Sequence, residues 1–592
     1  MQCTECTRDP TRTIPEDVSS GVLAGRTFFT SGVTTWNLLT GSLAALGLAV
    51  VIACNRAPAN SPNAMIDQIF APWNRPDSPG CAVGVSRNGR PVYAHGYGMA
   101  NLELRVPITP ASVFGAASIS KQFTAMSVLL LAERGQLSLD DDVSRFVSGW
   151  ADREHHITIR HLLTHTSGLR EGFSLLGWAA PSDLSANEAM VPMLARQRAL
   201  NFAPGTEFQY NNGAYNLLAA IVNRVSGQSL RSFASANIFR PLGMASTQYR
   251  DDPATILPNR ASGYSQDAAG FRQASEAVGV VGNAGVYTTV GDLLVWEQNF
   301  ADVHIGTPTD VAAMQAPTTL AGGGTSAYGF GLAVGEYRGL RTVEHGGGDR
   351  GIAANAVRYP DRQLAVVVLC NLDTIDVNSL TRSVTDVYLP DAPAPRPSGT
   401  SASLPRVNLS DEELASRAGL YRSASMNDRI VRISVRDRAL VARSLYGDDS
   451  DLAMTPVTQN RFQFTVSANA LEFVPAAGGR PKEWRVVDRD GRQLGVFEPI
   501  AFVPSRADLG SLVGEYRSDE LDVTYAVALQ DSTLVVRPAG RAQIAVDAVA
   551  KDVFVGDIVG TVNFLRDVSG RVLGFTLNRD TARGVRFDRI RS

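Results

Sequence analysis

Phe114-Gly115-Ala116-Ala117-Ser118-Ile119-Ser120-Lys121 is the stretch from which the rest of the chain is read. It leads into a run from Ser118 to Arg134 in which Phe123, Met126, Leu129 and Leu130 return at helical spacing, and Gly135 stops it. Ser118 and Lys121 form an S-x-x-K pair within that run. On a helix, positions i and i+3 share a face, so the amine can reach the hydroxyl. A serine hydroxyl is a weak nucleophile near neutral pH and needs a base beside it. A desolvated lysine can lose its proton and act as that base. The chain holds three lysines (Lys121, Lys482 and Lys551) against 52 arginines, and only Lys121 has a serine three residues before it. Guanidinium cannot give up its proton, so a lysine at this position points to a required titratable amine. A nucleophile at a helix start also feels the positive end of the helix.

Two further stretches lie downstream. Tyr210-Asn211-Asn212 follows Pro204-Gly205-Thr206 and precedes an apolar helical run from Tyr215 to Val225. A phenolate beside an ammonium can act as a general base. His345-Gly346-Gly347 ends one strand-like run before another begins. Glycines there let a substrate lie along the strand edge, where backbone N–H groups can stabilise an oxyanion.

In this order, the three stretches resemble the S-x-x-K, Y-x-N and K-T-G/H-x-G boxes of the serine β-lactamase, penicillin-binding-protein and related esterase superfamily. Ile157–Leu169 (ITIRHLLTHTSGL), Phe202–Asn212 (FAPGTEFQYNN), Gly285–Asp292 and Tyr328–Leu332 resemble family text as well, and the likeness covers roughly Asn63 to Leu389. It implies that Ser118 is acylated and that Lys121 and Tyr210 handle protons, with the principal base left open between them. Asn212 would hold Lys121 or a substrate amide. The backbone N–H groups of Ser118 and Gly348 would form the oxyanion hole, with Gly347 on the substrate strand. His345 stands where K-T-G members carry lysine. A histidine offers a cation to a substrate carboxylate only when protonated. The expected substrate is therefore an ester or a D-amino-acid amide or peptide rather than a β-lactam, in the D-aminopeptidase and esterase branch.

The implied fold is α+β. One antiparallel sheet is built from both ends of the domain and backed by helices. Cys81 to Tyr97 reads as a hairpin around Asn88-Gly89. Phe330–Val334, Thr342–His345, Ala353–Arg358 and Leu364–Cys370 read as strands. The expected organisation is an N-terminal segment 1–54, a tether 55–63, the hydrolase domain 64–389 and a Pro-rich linker 390–408. Two β-barrel-like repeats follow, 409–500 and 506–592. The repeats rest on Gly419–Ser423 against Gly514–Ser518, Asp437–Arg443 against Asp531–Arg537, and Gly491–Gly495 against Gly570–Gly574.

Leu38 to Ala53 carries no charge, and Val51-Ile52-Ala53-Cys54 resembles a bacterial lipobox with Cys54 as the lipidated residue. The alternative is an uncleaved anchor, although about sixteen residues fall short of the roughly 20 that a span needs. Either reading places the rest of the chain outside the cytoplasm, in the periplasm or cell envelope, anchored to the membrane. A net charge of −3 gives no footprint for nucleic acid. Cys3 and Cys6 form one C-x-x-C with no second pair, and His161 and His165 lack the glutamate of H-E-x-x-H, so neither pair is read as a metal site. Cys81 and Cys370 are read as core residues rather than a disulfide. The expectation is an enzyme without cofactor or metal that takes a small-molecule or peptide substrate. The rival is a non-catalytic sensor or scaffold that binds peptidoglycan or β-lactams.

Overall fold

The computed structural model describes residues 61–590 except 152, 180–185, 275–278, 280, 394–406, 425–428, 446–450, 465–468, 477–480, 489–490 and 539. The Leu38–Ala53 run and Cys54, Cys3 and Cys6, and most of the Pro-rich linker lie outside the described residues.

Six strands make the central sheet: β1 (Cys81–Arg87), β2 (Arg90–Tyr97), β3 (Ala333–Tyr337), β4 (Leu340–Asp349), β5 (Ile352–Tyr359) and β6 (Leu364–Cys370). Their order is β3-β4-β5-β6-β1-β2 and every pairing is antiparallel, so segments more than 200 residues apart share one sheet. The β1–β2 turn falls on Asn88 and Gly89, both left-handed (φ 52° and 72°), as a two-residue hairpin requires. Central β5 and β6 are buried along their whole length because both faces are covered. On one face, Val83, Val85, Val366 and Val368 pack with Ile66 and Phe70 of α1 (Pro62–Phe70). On the other, Ala82, Ala354, Val367 and Leu369 belong to a core shared with α2 (Ser120–Glu133), α3 (Asn212–Ser226) and α4 (Val290–Gln298).

Two expectations about the sheet are corrected. Cys81 and Cys370 are buried in strands as expected, but they form a disulfide. The register of β1 on β6 sets them directly opposite each other, which no local pattern reveals. The strand expected at Phe330 begins at Ala333, because Phe330–Leu332 turns through Gly331 (φ 73°). A Cβ on Gly331 would stand 2.8 Å from the Lys121 backbone, so this segment is pressed against the helix rather than laid into the sheet.

The C-terminal region forms two closed barrels of eight strands each, from Gly419–Ser423 to Gln493–Pro499 and from Gly514–Ser518 to Ala582–Arg589. The first repeat pair occupies the first strand of each barrel. There Tyr421 donates to the Arg417 carbonyl (2.9 Å) and Tyr516 to the Leu512 carbonyl (2.7 Å), the same corner built twice. The second pair forms both third strands. The third does not correspond: Gly491–Gly495 enters the eighth strand of barrel 1, while Gly570–Gly574 enters the seventh of barrel 2.

Candidate active site

Ser118 lies in a 3-10 turn, Ala117–Ile119, that feeds directly into α2. Ala117 has φ 45°, a left-handed backbone that a residue with a Cβ adopts only under constraint. The constraint is β4. A Cβ on Gly347 would stand 2.4 Å from the Ala116 carbonyl, so the strand and the nucleophile turn meet backbone to backbone. Only glycine permits that approach. Gly347→Ala is expected to push β4 from Ser118 and slow acylation by about 10²-fold, the usual cost of an ångström-scale misplacement. Labelling kinetics at the wild-type rate would contradict this.

Lys121 is fully buried. Its Nζ lies 2.9 Å from Asn212 Oδ1, 2.9 Å from the Asn283 carbonyl and 3.0 Å from Ser118 Oγ. Helix α3 supplies this environment. Asn211 caps it by accepting from the Ala214 N–H (2.9 Å), Asn212 opens it, and Asn216 one turn later donates to Asn283 Oδ1 (2.8 Å). Two of the three neighbours of Nζ are oxygens that can only accept. A neutral amine satisfies them with its two N–H bonds, and its lone pair is then left for the Ser118 hydroxyl. Burial drives the Lys121 ammonium well below its usual range, against a weaker pull upward from Glu171.

The Lys121 amine lies over the Tyr210 ring, 4.7 Å from the centroid. Burial pushes the Tyr210 phenol upward, outweighing the opposite effect of the nearby Ser118 hydroxyl. The phenolate expected from the Tyr210–Lys121 pairing is therefore disfavoured at rest, and the amine is the stronger candidate for the base. His345 accepts from the Tyr328 hydroxyl at Nε2 (2.9 Å), and Nδ1 lies 2.6 Å from the Gly346 carbonyl. A carbonyl only accepts, so Nδ1 carries a proton, and burial of the ring favours its neutral form. Burial is the main cause that pushes His345 down to about 3.

Strand β4 pairs with β3 only up to Glu344. Among the described residues no strand covers the same edge from His345 to Asp349. Gly348 is exposed there, with nothing within 4 Å of where a Cβ would be. The six residues Ser118, Lys121, Tyr210, Asn212, His345 and Gly347 are thus brought to one place from three parts of the chain, with Gly348 beside them.

Sequence reasoning missed Tyr328, Asn283, Glu171 and the position of His165. Glu171 is buried, accepts from the Ser174 N–H (2.9 Å) and faces the Asn212 amide. The one available signal was that His165 and Tyr328 lie inside the quoted family-like stretches. His161 caps a short helix with Thr158, while His165 lies beyond the end of that helix. No cluster suited to a metal ion occurs among the described residues.

The arrangement defines a class: proteins that carry a Ser-x-x-Lys nucleophile at a helix start against an antiparallel sheet. The β-lactamase family model matches residues 63–389, and the chain belongs to that family. It is 32% identical over 298 residues to a D-aminopeptidase of Brucella ovis, covering 50% of this chain and 57% of that protein. It is 31% identical over 299 residues to the D-aminopeptidase of Brucella anthropi, covering 50% and 56%. The match thus spans little more than half the length of these curated relatives. Among solved structures, an octameric penicillin-binding-protein homologue from Pyrococcus abyssi aligns with TM-score 0.52 at 20% identity, covering 81% of this chain and 98% of that one. This last likeness concerns the fold alone.

Proposed function

We propose that the protein is an extracytoplasmic serine hydrolase that acts through an acyl-enzyme on Ser118, with an ester or a D-amino-acid amide or peptide as substrate. The observation that carries this reading is the Lys121 amine, buried between two obligate acceptors with its remaining site turned to Ser118 Oγ at 3.0 Å. In the proposed cycle, Lys121 takes the hydroxyl proton as Oγ attacks the substrate carbonyl. The tetrahedral oxyanion is held by the N–H groups of Ser118 and Gly348. Tyr210, kept protonated by burial, gives its proton to the leaving group and regains one from the Lys121 ammonium, and water then releases the acyl group, losing its proton to the neutral Lys121 amine as Ser118 Oγ is reprotonated.

A neutral His345 gives a substrate carboxylate no cation at that position, and the family relatives named D-aminopeptidase support the amide or peptide class. The Cys81–Cys370 disulfide supports an oxidising compartment outside the cytoplasm. Anchoring through a lipidated Cys54 or through the apolar run before it remains part of the proposal. Among the described residues no helix is long and apolar enough to cross a membrane.

The test is turnover of D-alanine p-nitroanilide and p-nitrophenyl acetate, together with a substrate pair that differs only in a free carboxylate or its amide. A charged hydrogen bond contributes about 1.5–3 kcal/mol, so a site with a cation would favour the acid by about ten- to a hundredfold. Comparable kcat/KM for the pair, or a preference for the amide, is expected. A tenfold preference for the acid would overturn the substrate assignment.

A further inference from the structure

His165 is fully buried and its backbone is left-handed (φ 57°), a conformation that a non-glycine residue keeps only where its surroundings hold it. Its partners are the two residues on either side of Tyr210. The Gln209 N–H donates to the His165 carbonyl (2.9 Å), and the Asn211 N–H donates to His165 Nδ1 (3.1 Å). Because Nδ1 accepts, the ring proton is on Nε2. That N–H has no hydrogen-bond partner and is enclosed by aromatic rings. The ring centroid lies 4.4 Å from that of Tyr210, 4.7 Å from Tyr328 and 5.1 Å from Tyr215. An ordinary core histidine would satisfy both nitrogens. This one leaves a donor unpaired and adopts an unfavourable backbone, and both features place its ring and its acceptor against Tyr210.

We propose that His165 is a positioning residue for the Ser118 chemistry: it brackets the Tyr210 backbone on both sides and fixes the ring over which the Lys121 amine lies on its way to Ser118 Oγ. The proposal rests on the hydrolase reading above, in which Tyr210 relays a proton. It goes further by making the geometry of Tyr210 depend on a residue that touches neither Ser118 nor substrate. His165→Phe keeps a ring and removes the acceptor. His165→Asn keeps an acceptor and tolerates the left-handed backbone, but removes the ring.

The experiment measures the rate of Ser118 labelling by a fluorophosphonate, followed by intact mass, for both His165 variants in wild-type and Tyr210→Phe backgrounds. If His165 acts through Tyr210, His165→Phe slows labelling at least tenfold in wild type and less than twofold in Tyr210→Phe, because the effect is already lost there. The same split is expected for His165→Asn, which serves as the test if His165→Phe does not fold. An unchanged rate in wild type, or the same factor in both backgrounds, would overturn the proposal. Absence of labelling in the wild type would instead overturn the hydrolase reading on which it rests.

Discussion

Lys121→Arg is expected to abolish acylation of Ser118 almost as completely as Lys121→Ala, with kcat/KM falling by about 10²–10⁴-fold, the range that a positioned general base supplies. The charge and much of the length are preserved, so a purely electrostatic or structural role would leave substantial activity. A guanidinium cannot lose its proton at accessible pH, and it has no lone pair to offer Ser118 Oγ. The pH dependence follows from the same group. Burial favours the neutral amine, which lowers its pKa, and in the proposed cycle the neutral amine is the active form. The acylation rate therefore rises with pH through the depressed lysine pKa and levels off well below the ordinary lysine value of 10.5. A pH–rate profile that still climbs near that value would show that Lys121 is not the base. So would near-normal activity in the Lys121→Arg variant.

The second large effect is expected at the contact between barrel 2 and the hydrolase domain. Arg170 has no exposed side-chain surface. It donates to the Arg583 carbonyl (2.8 Å), the Gly584 carbonyl (2.9 Å), Gln197 Oε1 (2.8 Å) and Glu520 Oε2 (3.0 Å). Glu520→Ala leaves this guanidinium buried beside neutral partners only. Removing one member of a buried ion pair costs about 3–5 kcal/mol. Melting of the full chain should fall by roughly 2–4 °C. An unchanged melting temperature would show the pair to be dispensable.

The same contact changes what removing the barrels should do. If the barrels merely gated the cleft, deletion of Pro405 to Ser592 would broaden the substrate range or raise turnover on bulky esters. In the structure the turn at Asp580–Thr581 bonds the scaffold of the Tyr210 segment. The Asp580 carbonyl accepts from Gln209 Nε2 (2.9 Å), and the Thr581 carbonyl accepts from Asn201 Nδ2 (2.9 Å) and from the Glu171 N–H (2.7 Å). Deletion strips partners from residues next to Tyr210 and Asn212, so lower turnover is the expected result.

The parts of this molecule that could be read from sequence are those that depend on local periodicity. The turn at Asn88-Gly89, the helix ended by Gly135 and the Ser118–Lys121 spacing each follow from residues a few positions apart. The central sheet could be assigned to both ends of the domain because strand-like runs parted by turn residues occur both in Cys81–Tyr97 and in Thr342–Cys370. What was not legible depends on tertiary register. Cys81 pairs with Cys370 across a separation of 289 residues. His165 and Tyr328 look like any histidine and tyrosine until packing sets their rings around Tyr210. The glycine-rich Gly491–Gly495 and Gly570–Gly574 segments matched as text, yet they enter different strands, since similar turn residues suit any hairpin. Tyr210 itself was legible as a site residue but not in its protonation, which burial decides.

The most direct test is intact-protein mass spectrometry of the protein and its Ser118→Ala variant after treatment with a fluorophosphonate. A single adduct on the wild type and none on the variant is the expected result, and it would establish Ser118 as an activated nucleophile. No adduct on the wild type, or the same adduct on Ser118→Ala, would contradict the account, and the former would favour a binding module built on this fold.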